Sequence, residues 1–457
     1  MKIRKTRFLV VGAGTAGLGA RRAIAAHTDD YLVADPGPLG TTCARVGCMP
    51  SKLLIAAADR AFEVEEPERF GVHSMGVSVD GKAVLRRVQQ ERDRFVGFVV
   101  RDMDDWASEH LLPHGATFVG PMAMKVGDEV IEAERIVLAV GSRPSLPASV
   151  AGLGDALLTT DGLFELPDLP FSVAVLGAGV IGLEMGQALH RLGRRVKVFG
   201  RSRSLGGIGD EIIRAEAATI LGQELDLHLT SDLELKPGDE GVDVSWNDDH
   251  GQGEASFERL LVCTGRRSNL DRLALERSGL AMDEEGVPLH DVSTLACEGM
   301  PVFLAGDDRE DKMILHEASD EGRIAGTGAV EWPHPVAGAR RVPLTIVFCE
   351  PNIIQAGISP REVDPTRHGT GVVSFWDQGR SRVMGLNKGR LHIYGEKGTR
   401  RLLGACGIGP RLEHIGHLLA WAVGAGLTVD QALDMPFYHP VIEEGVRTAL
   451  RDLKRHL

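Results

Sequence analysis

Aromatic residues make up only 5% of this 457-residue chain, and basic residues are outnumbered: 51 Lys and Arg stand against 64 Asp and Glu, a formal net charge of −13. Such a chain lacks both the cationic surface that neutralises phosphates and the stacking platforms that hold bases. Nucleic acid and anionic membrane surfaces are thereby excluded as main partners. No apolar run reaches the roughly 18–20 residues of a membrane-spanning helix. The opening MKIRKTRFLVVGAG carries basic residues and an apolar stretch. That stretch runs straight into a glycine-rich turn with no small-residue cleavage site, so a signal peptide is not expected. Cysteine is sparse as well. Six in a chain of this length form no secreted disulfide framework; the expected setting is cytoplasmic, where paired cysteines do chemistry. At about 150 residues per domain the length points to roughly three domains, enough for a large core without staples.

Glycine is the residue in excess, 56 in all, and two groups of it share one pattern. An apolar run at residues 7–11 leads into Gly12-Ala13-Gly14-Thr15-Ala16-Gly17. A second, Ser172–Leu176, leads into Gly177-Ala178-Gly179-Val180-Ile181-Gly182. Helical spacing follows each, over 18–26 and 183–192, and each returns to a strand, Tyr31–Ala34 and Arg195–Phe199. A lone G-x-G-x-x-G is often only a turn, but strand, turn, helix and strand together are the context in which it binds a dinucleotide. The first glycine makes the tight turn, the second lets backbone approach a pyrophosphate, and the third lets helix and strand pack closely. The helix N-terminus favours the negative charge.

The end of the second strand in each unit discriminates cofactors. In the first unit Asp35 can accept hydrogen bonds from a ribose 2′-OH. In the second the position is Gly200, followed by Arg201 and Arg203: no carboxylate for a bare 2′-OH, and two guanidiniums for a 2′-phosphate. The second site leans towards NADP(H), with simply solvated arginines as the alternative. Further strands are expected at 135–141, followed by Ser142-Arg143-Pro144, at 260–265, and at 302–307. The last ends in Gly306-Asp307 and puts a carboxylate at the carboxyl end of a sheet, where such folds bind ligands. From about residue 340 the character changes. Strands at 344–349, 370–375 and 390–394 and helices at 411–425 and 429–435 read as a third, α+β domain.

The most informative stretch runs Gly40-Thr41-Thr42-Cys43-Ala44-Arg45-Val46-Gly47-Cys48-Met49-Pro50-Ser51-Lys52. In an ideal helix, residues five apart have Cα atoms roughly 8–9 Å from each other, and a disulfide tolerates at most about 7 Å. A Cys43–Cys48 bond therefore needs irregular backbone, which Gly47 eases. Pro50 suits the first turn of a helix continuing over 53–65, and a thiol at that helix end has its thiolate favoured by the dipole. Two other readings are open. C-x4-C is also a zinc half-site spacing, but Cys263, Cys297, Cys349 and Cys406 are scattered singly, and His414 and His417 read as surface or interface residues, so no metal is expected. The two thiols could also be buried and unpaired.

The whole arrangement resembles the class I pyridine nucleotide–disulfide oxidoreductases over nearly the full chain. The family's redox signature G-G-T-C-x4-C is matched by Gly40-Thr41-Thr42-Cys43 and Cys48. Its Glu two residues after the second G-x-G-x-x-G is Glu184. Its Gly-Asp is Gly306-Asp307, followed by Met313-Ile314-Leu315-His316, and its C-terminal His-Pro…Glu is His439-Pro440 with Glu444. The resemblance implies an α/β fold with two Rossmann-like domains, for FAD and NAD(P), and a C-terminal α+β dimerisation domain. The implied divisions are 1–145 and 266–338 for FAD, 146–265 for NAD(P), and 339–457 for the interface. It implies tightly bound, non-covalent FAD held by Gly12, Gly14, Gly17, Asp35, Thr42, Gly141, Ser142, Gly306, Asp307 and Leu315, with Gly265 a further cofactor-binding position. Gly177, Gly179, Gly182, Arg201 and Arg203 would serve the NAD(P)(H) co-substrate. Cys43 would exchange with substrate, Cys48 would touch the flavin, and Lys52 would pair with Glu184 beside it. His439, oriented by Glu444, would be the base and come from the partner subunit of a homodimer; a mere interface histidine is the alternative.

Several positions depart from the family pattern. Thr41 replaces a usual Gly, so the backbone there is less free. Phe437 stands where the lipoamide branch has a first His. Gly200-Arg201 looks like the NADP-linked reductases, whereas Ser51 favours the lipoamide and mercuric branches. The C-terminal cysteine pairs expected of the mercuric branch and of the large thioredoxin reductases are missing from Arg-Asp-Leu-Lys-Arg-His-Leu. The expectation is an FAD-dependent dithiol–disulfide oxidoreductase of the dihydrolipoamide dehydrogenase type, acting on free or protein-tethered lipoamide, with membership of a multienzyme complex open. An NADPH-dependent reductase of a small disulfide, glutathione type, is the alternative, and a flavoprotein subunit with a mainly structural role is a third.

Overall fold

A computed structural model describes residues 2–65, 68–249, 251–307 and 315–457, with backbone only at 202, 203 and 315. The chain groups into two compact units. One comprises Met1–Pro50, Arg87–Ser145 and Gly265–Arg340; the other comprises Ser51–Arg86, Leu146–Thr264 and Arg341–Leu457.

The first unit is built on a seven-stranded sheet in the order Leu111–Leu112, Tyr31–Ala34, Lys2–Val11, Glu129–Leu138, Ala123–Val126, Ala116–Gly120, with Val302–Leu304 also pairing Glu129–Leu138. The four central pairings are parallel. Parallel strands are covered on both faces, which is why Tyr31–Ala34 is an unbroken apolar run with every residue buried. The helices Thr15–Ala25 and Leu315–Glu331 contribute Ile24 and Ile324 to one core with Phe8, Val10, Val33 and Phe303. On the other face Leu9, Leu32, Ile136, Leu138 and Leu304 join Phe118 and Leu270. The first strand begins at Lys2, five residues before the apolar run. Its polar start pairs in register with Glu129–Ala133, and the exposed Lys2 and Lys5 meet Glu129 and Glu132 at 2.7 and 3.4 Å.

The second unit holds a five-stranded parallel sheet, ordered Asp226–His228, Arg195–Phe199, Ser172–Leu176, Arg259–Val262, Leu157–Leu158. Its helices include Val180–Arg191 and Glu211–Leu221. An antiparallel meander, Asp232–Gly238, Gly241–Asp248 and Gly251–Phe257, adds three strands that the sequence pattern did not signal. The C-terminal part is a five-stranded antiparallel sheet, ordered Leu344–Val347, Asn352–Gly357, Leu402–Gly409, Arg390–Glu396, His368–Ser374. The helices Leu412–Gly424 and Glu444–Leu453 enclose its core of Ile354, Phe375, Leu391, Leu412, Ile415 and Leu450. The chain is thus two Rossmann-like α/β layers and a C-terminal α+β layer, as expected. No helix among the described residues is long and apolar enough to cross a membrane.

Candidate active site

The two glycine turns repeat one geometry, each within its own unit. Gly12 has φ +107° and Gly177 φ +116°. A Cβ on Gly12 would stand 2.2 Å from the Ala139 carbonyl oxygen, and one on Gly177 2.3 Å from that of Cys263. On Gly17 and Gly182 it would stand 1.8 Å from the carbonyl oxygen of the turn's own first glycine. No side chain fits at these four positions, because helix and turn are in backbone contact. Gly14 and Gly179 are different: nothing lies within 4 Å of where their Cβ would be. Each is the N-cap of its helix, and neither helix has a side-chain cap. Open space before uncapped N–H groups is what a dinucleotide pyrophosphate requires, so both turns fit the group expected of them.

Around the first turn, Asp35 accepts from the Ala13 N–H (2.6 Å) and the Gly37 N–H (2.7 Å), which orients its carboxylate and leaves lone pairs for a ribose hydroxyl. At the corresponding place in the second unit, a Cβ on Gly200 would stand 2.5 Å from Ala178 Cβ and 2.7 Å from Ala178 N. A carboxylate-bearing residue there would displace the glycine turn itself. Arg201 is exposed just beyond; the Arg203 side chain lies outside the described residues.

At the carboxyl end of the first sheet, Ser142 Oγ donates to Asp307 Oδ2 at 2.5 Å. Arg266, which the sequence did not single out, donates from Nε to Ser142 Oγ and from Nη2 to the Ser142 carbonyl, both at 2.8 Å. The Gly306 N–H donates to Glu321 Oε2 (2.9 Å), and Glu321 is paired in turn with Arg340 (2.9 Å). Asp307 is therefore held by Ser142, next to a Gly306 that is itself anchored. Gly141 and Gly265 have φ of +63° and +103°, with no atom within 4 Å of the Cβ position. Leu315 opens its helix, but its side chain, with Met313 and Ile314, lies outside the described residues.

The Cys43 region is two helices joined by a break. Thr42–Val46 ends at Gly47 (φ −119°, ψ −115°), and Cys48–Glu65 begins directly after it. A Cβ on Gly47 would stand 3.3 Å from the Cα of Cys43, so the break folds the chain back on that residue. Thr41 caps the first helix, its Oγ1 accepting from the Ala44 N–H at 3.2 Å, and does so at φ +64°. Cys43 is half-buried and Cys48 exposed. The other thiols contrast with these: loss of solvent pushes Cys263 up to about 12, and burial raises Cys349 and Cys406 further, which keeps them unreactive thiols. Among the described residues no group of three or more His, Cys, Asp or Glu could hold a metal ion.

Lys52 stands four residues after Cys48 in the same helix. Its Nζ meets Glu184 Oε2 at 2.7 Å, and Glu184, 3% exposed, is fixed through Oε1 by the Phe348 N–H at 2.9 Å. Lys52 Nζ also lies 4.6 Å over the Phe348 ring. Phe348 thus anchors both members of the pair, one by its backbone and one by its ring face; nothing in its local sequence signals this. In the C-terminal part, His439 Nδ1 is 2.9 Å from Glu444 Oε2, and Arg447 donates to Glu444 Oε1 at 2.9 Å. Desolvation pushes the Glu444 carboxyl up, but the bonds from His439 and the Val441 N–H outweigh it and hold Glu444 below its ordinary range. The structure thus joins Ser142 with Asp307, Lys52 with Glu184, and His439 with Glu444. The cysteine pair and His439 belong to different compact units.

Residues 6–322 match the family described as pyridine nucleotide-disulphide oxidoreductase, and residues 343–450 match its dimerisation domain. A mercuric reductase of Streptomyces lividans is 29% identical over 437 residues, 92% of this chain and 90% of that protein. Dihydrolipoyl dehydrogenase 2 of Haloarcula marismortui is 28% identical over 462 residues, 97% of this chain and 96% of that protein. Among solved structures, LpdA of Mycobacterium tuberculosis is similar at a TM-score of 0.82 and 21% identity, and the HOCl-induced flavoprotein disulfide reductase RclA of Escherichia coli at 0.81 and 21%. Each comparison covers 98% of this chain and 99% of the other. At that identity the likeness speaks for the fold.

Proposed function

The chain belongs to the pyridine nucleotide-disulphide oxidoreductase family, and from that premise we propose that it moves electrons between NAD(P)(H) and a dithiol–disulfide couple through Cys43 and Cys48, with dihydrolipoamide as the dithiol. Enzymes of this family bind FAD and use NAD(P)H. FAD, when bound, exchanges a hydride with the nicotinamide and an electron pair with the cysteines. Gly12, Gly14, Gly17, Asp35, Thr42, Gly141, Ser142, Gly306, Asp307 and Leu315 would hold it, Gly177, Gly179, Gly182, Arg201 and Arg203 would hold the nicotinamide nucleotide, and Gly265 is a further cofactor-binding position.

The observation that carries the reading is the helix break at Gly47, which folds the chain back on Cys43 and starts a new helix at Cys48. In the exchange, a substrate thiolate attacks Cys43 Sγ, the Cys43–Cys48 bond breaks, and Cys48 leaves as a thiolate favoured by its helix N-terminus. A second substrate thiolate then displaces Cys43. The products are the substrate disulfide and a reduced cysteine pair, whose two electrons end on NAD(P)+ as hydride, with one proton released. His439 takes the thiol proton; Glu444 accepts from Nδ1–H and leaves Nε2 as the base. The His439 side chain is 80% exposed, beside an apolar groove of about 590 Å³ lined by Trp421, Met435, Phe437 and Tyr438. Both features suit a homodimer in which His439 serves the partner's cysteines. Free and protein-tethered lipoamide are the two substrates to assay, and a cytoplasmic site of action is part of the same reading; membership of a multienzyme complex is left open.

One observation favours a second reading. Gly200, held tight against Ala178, excludes a carboxylate at the position that selects a bare 2′-OH, which suits an NADPH-dependent reductase of a small disulfide. Parallel rates with lipoamide and glutathione disulfide, each with NADH and NADPH, separate the two. Cys43→Ser should abolish dihydrolipoamide oxidation while the flavin is still bleached by reduced nucleotide. Undiminished lipoamide turnover in that variant would overturn the assignment.

A further inference from the structure

Away from these groups, within the unit formed by Ser51–Arg86, Leu146–Thr264 and Arg341–Leu457, lies a cavity of about 370 Å³. It is bounded by the ends of the Cys48–Glu65 and Val180–Arg191 helices and by the turns at 350–351 and 385–388. Its size is that of a small-molecule site. The floor is ionic. Arg191, with a 4% exposed side chain, is held by Glu224 (2.6 and 3.0 Å) and Asp59 (3.1 Å) and lies 3.9 Å over the Phe62 ring. Two carboxylates thus already answer one guanidinium.

Glu350 adds a third carboxyl, on which Arg191 and Arg411 act through space only. No described residue gives it a hydrogen bond, and Oε1 is shielded from solvent. Its backbone is pinned by the Gln187 amide, N–H to Oε1 at 2.7 Å and carbonyl to Nε2 at 2.8 Å, so the residue is held at the cavity wall. A carboxyl so placed lacks the partner that a buried polar group ordinarily has. The mouth has the opposite need. Lys388 Nζ meets only an uncharged oxygen, Gln223 Oε1 at 3.1 Å, and Arg69 Nη1 only the Gly385 carbonyl at 2.6 Å. Neither has a carboxylate partner among the described residues.

We propose that this cavity binds a small zwitterion of the basic amino-acid class, its amine or guanidinium at Glu350 and its carboxylate at Lys388 and Arg69. A simple cation would leave the mouth unmet. A simple anion would face Glu350, Glu224 and Glu65, all of which line the cavity. The cavity shares no residue with the cysteine pair, the Lys52–Glu184 pair or the glycine turns, so its ligand is separate from the redox substrates.

Calorimetric titration of the FAD-loaded enzyme with L-arginine tests this, with agmatine, which lacks the carboxylate, as the second probe. Saturable L-arginine binding is expected, with agmatine weaker by about tenfold or more, since it loses the carboxylate's contacts with both Lys388 and Arg69. Glu350→Gln and the exposed Lys388→Met should each weaken L-arginine by about tenfold and leave dithiol turnover unchanged. Absence of saturable L-arginine binding to the wild type overturns the proposal. So does an affinity untouched by Glu350→Gln, or agmatine binding as tightly as L-arginine.

Discussion

Replacing Thr41 by alanine should lower stability, and replacing it by glycine should not. Thr41 has φ +64° and ψ 149°, a region that only glycine enters freely; holding another residue there costs of order 1–3 kcal/mol. Its hydroxyl offsets part of that cost by capping the Thr42–Val46 helix through the Ala44 N–H. Alanine keeps most of the strain and loses the cap, so Thr41→Ala should lower stability by about 1 kcal/mol. Glycine releases the strain and caps to within a few tenths, but adds about 0.5–1 kcal/mol of unfolded-state entropy. Thr41→Gly should therefore be level with the wild type or about 1 kcal/mol more stable. Urea unfolding of the FAD-loaded protein, followed by far-UV circular dichroism and flavin release, gives the order. An alanine variant as stable as the glycine variant would refute the reasoning, because it would mean that the backbone at Thr41 is not strained.

Lys52→Met leaves the buried Glu184 with only the Phe348 N–H as donor. Because Lys52 is itself 34% exposed, the loss should be about 2 kcal/mol rather than the full cost of breaking a buried pair. Thermal unfolding should show most of it restored by adding Glu184→Gln, and no restoration would deny the coupling. Gly14→Ala should fold, since nothing lies within 4 Å of its Cβ, yet bind FAD poorly. Gly17→Ala, with a backbone oxygen 1.8 Å away, should fail to fold stably; equal flavin content in the two variants would contradict the assignment of that open space to a pyrophosphate. Burial raises the Glu350 carboxyl to about 7, so the native state holds a proton there that the unfolded chain gives up near pH 4.5. Wild-type stability from this group is complete below that pH and is lost as pH rises through about 7. Relative to wild type, Glu350→Gln should gain about 2–3 kcal/mol across that window, and a pH-independent difference would show that the carboxyl is not desolvated.

What the sequence displays openly is what the chain does over short distances. A turn whose first and third glycines touch backbone needs glycine at those two positions whatever surrounds it, and its second, which faces open space, needs glycine only for what binds there. Gly12 to Gly17 and Gly177 to Gly182 could therefore be read directly, and so could the cysteine spacing with Gly47 inside it. The partners that hold the site together are another matter. Phe348 reaches Glu184 across 164 residues, Arg266 reaches Ser142 across 124, and Gly306 is held by Glu321, itself tied to Arg340. Each is an ordinary residue in its own neighbourhood, and only the assembled sheet gives it a role. The same holds for strands. Lys2–Thr6 reads as a polar lead-in until Glu129 and Glu132 lie beside it, and Leu402–Gly409, with three glycines among its eight residues, is a strand because neighbours pair with it on both sides.

Thr41 shows why the departures from the family pattern carry as much information as the matches. At that position the family's usual glycine would adopt φ +64° without strain, and the threonine found there adopts it anyway. The backbone path is therefore set by the structure around it, with Gly40 at φ +113° on one side and the helix carrying Cys43 on the other. A loop that merely tolerated glycine would have relaxed around threonine into an ordinary conformation. That it does not means the position of Cys43 relative to the Cys48 helix is over-determined, and the hydroxyl cap on Ala44 is the local compensation. The same reasoning applies at Gly200, where the close approach to Ala178 leaves no room for the carboxylate that a bare ribose would call for. On the proposed reading, coenzyme choice at the second site would follow from that backbone contact as much as from Arg201 beyond it. A swap of Arg201 alone would then leave part of any NADPH preference in place.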